Sequence, residues 1–370
     1  MADTLKEQYT FKYPTQIASQ IKKVYPDFKD QLFLQQVAID YDSFELLPKT
    51  KHIALTLYKF FPKDYSQTIN ILVDSMGDKL IDDRSFGIES FLYMPYSYYI
   101  LLYGLDNYEL SIHAQYELTQ RFTAEFCIRA FIEKYEDKIL DLFISWTQDD
   151  SMHVRRLVSE GTRPRLPWSN QLKKYIKDPS SILPLLEALK DDKELYVRRS
   201  VANNLNDITK DNPQIVLDLC KKWLKDADNN RIWLINHALR TLIKKGDKQA
   251  LSILGFNDSQ EINIKEISIT PIEPSIGEFV NISVVLENIN NDTKNCLVDF
   301  SIDYVKANKK SSKKVFKLKS FTLGSNKTIQ LSKKVSLKEM TTRKHYPGLH
   351  KVFLHINGDE AEIGSFKLNI

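Results

Sequence analysis

The chain has 370 residues, 42% of them hydrophobic and 27% charged, with a net charge of +4; that is enough apolar material for two or three cores and excludes a disordered polyelectrolyte. No run approaches the about 18 apolar residues of a membrane span, and the opening MADTLKEQYTFKYP has neither the basic nor the apolar region of a secretion signal, so a cytoplasmic protein without a membrane partner is expected. Cys127, Cys220 and Cys296 lie far apart with no CxxC pair, which predicts buried thiols and neither a disulfide framework nor a zinc site. The charge is uneven: residues 262–370 hold 17 Lys+Arg against 11 Asp+Glu, while the preceding residues hold 35 against 37.

The first 110 residues read as helical without a clear phase. In ELTQRFTAEFCIRAFIEKY, the four-residue steps Arg121, Glu125, Arg129 predict one face of a further helix. HVRRLVSEG opens a helix that the sequence should end at Gly161, a residue suited to a left-handed cap, with Glu160 in its last turn. The following TRPRLPW then reads as an extended segment fixed by Pro164 and Pro167, carrying Arg163 and Arg165 to phosphates or helix carbonyls and presenting Trp168. An acid near a helix C-terminus is electrostatically unfavourable, so Glu160 is a functional candidate.

Next, YVRRSVANNLNDI steps Val197, Val201, Leu205 and Ile208 along one buried face. Alignment places His153 on Tyr196 and Tyr196 on Trp233, offsets of 43 and 37, with Val197, Val201 and Leu205 falling on Leu234, Ala238 and Leu242. Such spacing predicts stacked helix pairs of the HEAT kind. Off the apolar face lie Arg199, Asn203, Asn206, Asp207 and Lys210, with Arg156 and Glu160 equivalent in one repeat and Asn236, Arg240 and Lys244 in the other. Taken singly these are solvated surface charges; added across stacked repeats they form a basic concave face suited to a phosphate backbone.

After residue 260 the period becomes two: Val280, Ile282, Val284, Leu286; Val298, Phe300, Ile302, Tyr304; Val352, Leu354, Ile356. Roughly seven such runs predict a β-sandwich, joined through GFNDSQ and TPIEPSIGE. Its lysine-rich KANKKSSKKVFK and KKVSLKEMTTRKH suit either a clamp on nucleic acid or solubilising strand edges.

RFTAEFCIRAF, HVRRLVSEGTRPRLPW, VRRSVANNLNDITKDNP and HALRTLIKKGD closely resemble motifs of the AlkC branch of the AlkC/AlkD DNA alkylation-repair glycosylases, from TLKEQY to at least KKGDKQAL. One departure is Ala130, where the family pattern has proline, which is expected to alter a helix bend. The resemblance implies a HEAT-like solenoid over residues 1–258 and an immunoglobulin-like β-sandwich over 262–370. It also implies a bacterial monomer that acts on double-stranded DNA, without a metal or other cofactor, hydrolysing the N-glycosidic bond of 3-methyladenine and 3-methylcytosine without base flipping. Carried over, Asp207 and Glu160 are the expected catalytic pair, Glu125 assists or holds an arginine, and Trp168 offers an aromatic face to sugar or base, unless it plugs the loop. Arg156, Arg163, Arg165, Arg199, Asn203, Lys210, Arg240 and Lys244 are expected to bind the substrate. A HEAT scaffold for acidic proteins and a catalytically silent DNA binder are the competing classes.

Overall fold

The computed structural model describes residues 4–82, 87–257, 262–339 and 344–369. Residues 258–260 of the expected join and 340–343 of the second lysine-rich stretch lie outside the described residues. Among the described residues sixteen α-helices come first: α1 (Leu5–Gln8), α2 (Lys12–Val24), α3 (Asp30–Ala38), α4 (Leu46–Phe60), α5 (Tyr65–Asp74), α6 (Met94–Tyr103), α7 (Tyr108–Thr119), α8 (Ile128–Lys134), α9 (Glu136–Trp146), α10 (Met152–Gly161), α11 (Lys173–Lys177), α12 (Leu183–Leu189), α13 (Leu195–Ile208), α14 (Pro213–Trp223), α15 (Asn229–Lys244) and α16 (Lys248–Ile253). Among the described residues no helix is long and apolar enough to cross a membrane. The chain forms two compact units, Met1–Val216 with Ala227–Ala238, and Leu217–Asp226 with Leu239–Ile370.

In the first unit α10 packs on α13, burying Val154, Leu157 and Val158 against the Val197, Val201 and Leu205 face that the helical period predicts. Each arginine pair divides its labour. Arg155 donates to the carbonyls of Asp149 and Asp150 and binds Asp192 through both Nε and Nη2, while Arg198 donates to the carbonyls of Asp192 and Lys193 and to Asn230 Oδ1. The first arginine of each pair therefore satisfies the loop before its own helix and ties it to the next repeat. Asp149 and Asp192 each accept the backbone N–H two residues on, so the repeat extends to loop chemistry.

Two local expectations are corrected. Arg121, Glu125 and Arg129 do not share a helix, because α7 ends at Thr119 and α8 begins at Ile128. The Thr123 hydroxyl bonds the Glu125 N–H, a local bond that competes with helix continuation. Arg121 instead pairs with Glu117, and Arg129 donates to the carbonyls of Gly161, Arg163 and Asn170. Ala130 lies in the first turn of α8, where proline is tolerated, so its presence alters no bend.

The second unit contains β1 (Ile262–Thr270), β2 (Phe279–Asn288), β3 (Lys294–Val305), β4 (Ser311–Leu323), β5 (Thr328–Ser336), β6 (Gly348–Ile356) and β7 (Asp359–Leu368). They form two antiparallel sheets, β1-β2-β5 and β4-β3-β6-β7, whose inward rows Val280/Ile282/Val284/Leu286, Val298/Phe300/Ile302 and Val352/Leu354/Ile356 make one core. The exposed lysines 313, 314, 317 and 319 line β4, an edge strand, where they discourage edge-to-edge pairing. Asn357 and Gly358 turn β6 into β7 with φ of 47° and 85°, the conformation of a type I′ hairpin. Gly358 also lies so close to Gly246, between α15 and α16, that an added Cβ would stand 2.8 Å from the Gly246 carbonyl oxygen. Asn357 Nδ2 donates to the carbonyls of Asn257 and Asn295, and Lys248 of α16 pairs with Asp359.

Candidate nucleic-acid site

The site is built around the end of α10. Gly161 closes the helix but in a right-handed conformation, with Thr162 as cap, so the left-handed cap expected there is corrected. Its lack of a side chain serves close approach instead: a Cβ would lie 2.8 Å from Ile128 Cγ2. The expected extended segment is also corrected, since the two prolines shape turns in which Ser169 N–H donates to Leu166 O and Leu172 N–H to Pro164 O. This compact loop leaves Trp168 56% exposed with φ of 63°, a left-handed conformation that is costly for a bulky residue. Trp168 is therefore not a buried plug.

Trp168, Glu125, Arg156, Glu160 and Arg163 line one recess of ≈ 270 Å³, with Phe91, Phe122 and Phe126 as its apolar wall. Arg156 Nη2 lies 2.8 Å from Glu125 Oε2 and 3.6 Å from Glu160 Oε1, and its guanidinium lies 5.0 Å from the centre of the Tyr196 ring. Arg163 Nη1 donates to Glu160 Oε1 at 2.6 Å and Nε to Asp207 Oδ2 at 2.8 Å. Three carboxylates and two guanidiniums thus alternate in one chain, Glu125, Arg156, Glu160, Arg163, Asp207. Arg163 is buried within it, which corrects the expectation that it reaches phosphates or helix carbonyls.

Burial pushes the Glu160 carboxyl up, but Arg156, Arg163 and the Ser200 hydroxyl outweigh it and hold the group below the usual carboxylate range. Burial likewise opposes charge on Arg163, and Glu160 and Asp207 restore it. The carboxylates differ in how fully they are bonded. Glu160 gives Oε1 to the arginines and Oε2 to Ser200, and Asp207 gives its oxygens to Arg163 and Lys210. Glu125 uses only Oε2, towards Arg156 and Thr123, and Oε1 has no partner among the described residues. Asp207 is only 2% exposed and stands behind Arg163 rather than on the recess wall.

The remaining predicted residues scatter. Arg165 is not free for phosphate, since both Nε and Nη2 bond Asp211, while Lys210 is half-occupied by Asp207. Arg199 is exposed, and Asn203 Oδ1 is bonded to His237. Asn206, assigned to the same polar stripe, is buried and donates to Ala238 O on the next repeat helix. Arg240 and Lys244 lie on the part of α15 that belongs to the second unit. Sequence reasoning missed Ser200, Tyr196 and the phenylalanines of the recess. Ser200 had a signal, a hydroxyl beside Val201 on the inward side of the helix, where a buried polar atom needs a partner; the phenylalanines had none.

The charged recess thus lies on packed helices, and a β-sandwich follows them along the chain. Residues 120–245 match the family model described as DNA alkylation repair enzyme, and residues 263–370 match that of the YhaZ C-terminal Ig-like domain, itself described as uncharacterised. The chain is 36% identical over 369 residues to the uncharacterized protein YhaZ of Bacillus subtilis (strain 168), covering 100% of both. It is 37% identical to the structure of the Pseudomonas fluorescens alkylpurine DNA glycosylase AlkC bound to DNA containing an abasic site analog, with a TM-score of 0.91 and 100% of each chain covered. The chain belongs to the AlkC-like DNA alkylation repair family and carries the YhaZ-type Ig-like domain.

Proposed function

We propose that the chain is a monomeric DNA glycosylase that hydrolyses the N-glycosidic bond of cationic alkylated bases in duplex DNA, with 3-methyladenine and 3-methylcytosine as substrates and without flipping them out. The observation that carries this reading is the Glu125 oxygen without a partner among the described residues, in a single recess with Glu160 and the exposed Trp168. A cationic base is an activated leaving group: the electron pair of the C1′–N bond neutralises it as it departs, so no strong general acid is required. The sugar becomes oxocarbenium-like and gains from nearby anions, here Glu125 and Glu160. Water adds to C1′ while Glu125 accepts its proton, and Asp207 acts behind them by fixing Arg163. Trp168 supplies an aromatic face to the cation, worth about 0.5–2 kcal/mol. Exposed Arg199 is a phosphate contact in this reading, and the bound DNA of the AlkC relative supports the choice of partner.

The test is release of free 3-methyladenine and 3-methylcytosine from site-specifically methylated duplexes, comparing wild type with Glu125→Gln, Glu160→Gln and Asp207→Asn at matched DNA affinity. Excision lost in the two glutamate variants, and reduced less in Asp207→Asn, is the expected result. Tight duplex binding with no excision by the wild type would make this a silent DNA binder, and no binding at all would favour a protein scaffold.

A further inference from the structure

We infer that Ser200, on α13, is a positioning residue for excision: together with Ser159 it forms a buried hydroxyl relay that fixes the Glu160 carboxylate from the repeat next door. The inference rests on the glycosylase reading above. Ser200 Oγ lies 2.6 Å from Glu160 Oε2, and Ser159 Oγ lies 2.7 Å from Ser200 Oγ. An ionised carboxylate only accepts, so Ser200 donates to it; Ser159 Oγ, which also lies 3.1 Å from Arg156 O, gives its one proton to Ser200 along the shorter contact. Both hydroxyls then point their dipoles at Glu160, the charge-assisted arrangement that makes a hydrogen bond short and strong.

The relay is anchored where α10 meets α13. Asn204 Nδ2 donates to Ser159 O at 2.8 Å and to Thr162 Oγ1 at 3.0 Å, and Ser159, Thr162, Ser200 and Asn204 are all buried. Apolar packing at this contact is already provided by Val158 and Val201, so alanine would fit at both positions, but it would leave Glu160 Oε2 without its hydroxyl partner. Ser200 is directed at the second oxygen of Glu160, while both arginines bind the first. The charged groups around that carboxylate are Arg156 on its own helix and Arg163 in the following loop, with Glu125 beyond the first, Asp207 of α13 beyond the second, and Lys210 behind Asp207. Ser200 is the uncharged group among the partners of Glu160, so its removal alters the orientation and acidity of the carboxylate without changing the charge of the site.

The experiment is single-turnover excision of 3-methyladenine from a methylated duplex across about pH 3–8, spanning the ordinary carboxylate range, with affinity for an abasic-analogue duplex and a thermal melt measured in parallel, for wild type, Ser200→Ala, Ser200→Thr and Ser159→Ala. Ser200→Ala should slow excision roughly 10- to 100-fold and move its acid limb up by about one pH unit, with the duplex affinity unchanged. Ser159→Ala should move the limb the same way by less, and Ser200→Thr should recover much of the rate. An active wild type beside a Ser200→Ala that excises at the same rate, or that is slower equally at every pH, overturns the inference alone. A wild type that releases no base removes the glycosylase reading and the inference with it. Should Ser200→Ala not fold, the Ser159→Ala limb decides by the same criterion.

Discussion

Replacing Arg163 by methionine, similar in reach but uncharged, tests whether the carboxylates are held together by this guanidinium. In the native site it bonds Glu160 at 2.6 Å and Asp207 at 2.8 Å, with all three side chains buried. Removing one member of a buried ion pair costs about 3–5 kcal/mol, because the partner charge stays desolvated. The lower end is appropriate here, since Glu160 keeps Arg156 and Ser200 and Asp207 keeps Lys210. About 3 kcal/mol corresponds to a fall in Tm of roughly 6–12 °C for a unit of this size. The deficit should depend on pH with a definite sign. In the native protein Glu160 titrates below its ordinary value of 4.5, so its contribution is present above that value and is lost as the pH falls through the folded pKa. In Arg163→Met one of the three groups that outweigh burial is gone, so the carboxyl is held down less and the variant keeps less of that contribution. The Tm gap between the two proteins should therefore be widest near pH 7 and narrow towards about pH 4, as the native contribution is lost. Melts at both pH values, with Arg163→Met/Glu160→Gln as a partial rescue, measure it. A gap that is absent, or identical at the two pH values, would refute the argument.

Trp168 pairs exposure with a strained backbone, so Trp168→Gly should relieve about 1–2 kcal/mol of left-handed strain and keep or raise Tm, while both Trp168→Gly and Trp168→Ala lower excision about 2- to 30-fold. A large drop in Tm for either would show the ring to be a packing element. Gly161→Ala places a Cβ against Ile128 Cγ2 and should destabilise by about 1–3 kcal/mol in denaturant unfolding. The double variant with Ile128→Ala should not show the same increment, and additive losses would remove the steric explanation.

What the sequence disclosed followed from periodicity. The buried rows of α13 and of β2, β3 and β6 stand at the positions that their spacing named, because one-sided burial demands a fixed period. Arg156 and Glu160 were named by the repeat register, and Glu125 and Trp168 gained their roles through the family motifs; the structure brings these four together around one recess. Partner choice was not legible. Whether Arg163 met phosphate or carboxylate depended on Asp207, far along the chain, and whether Arg165 was available depended on Asp211. Spacing also misled between α7 and α8, where Thr123 supplies a hydrogen bond that a four-residue step cannot register.

The paired glycines 246 and 358 have an implication for modularity. Because the hairpin tip of the sandwich meets the α15–α16 turn backbone to backbone, and Asn357 reaches Asn257, the last helical turns are built as part of the β unit. A recombination event that exchanged the sandwich at the α-to-β switch would cut through this unit and leave Leu251 without the glycine beside it. Shortening, fusing or shuffling such a protein at that switch therefore requires the α15–α16 turn and α16 to travel with the sandwich.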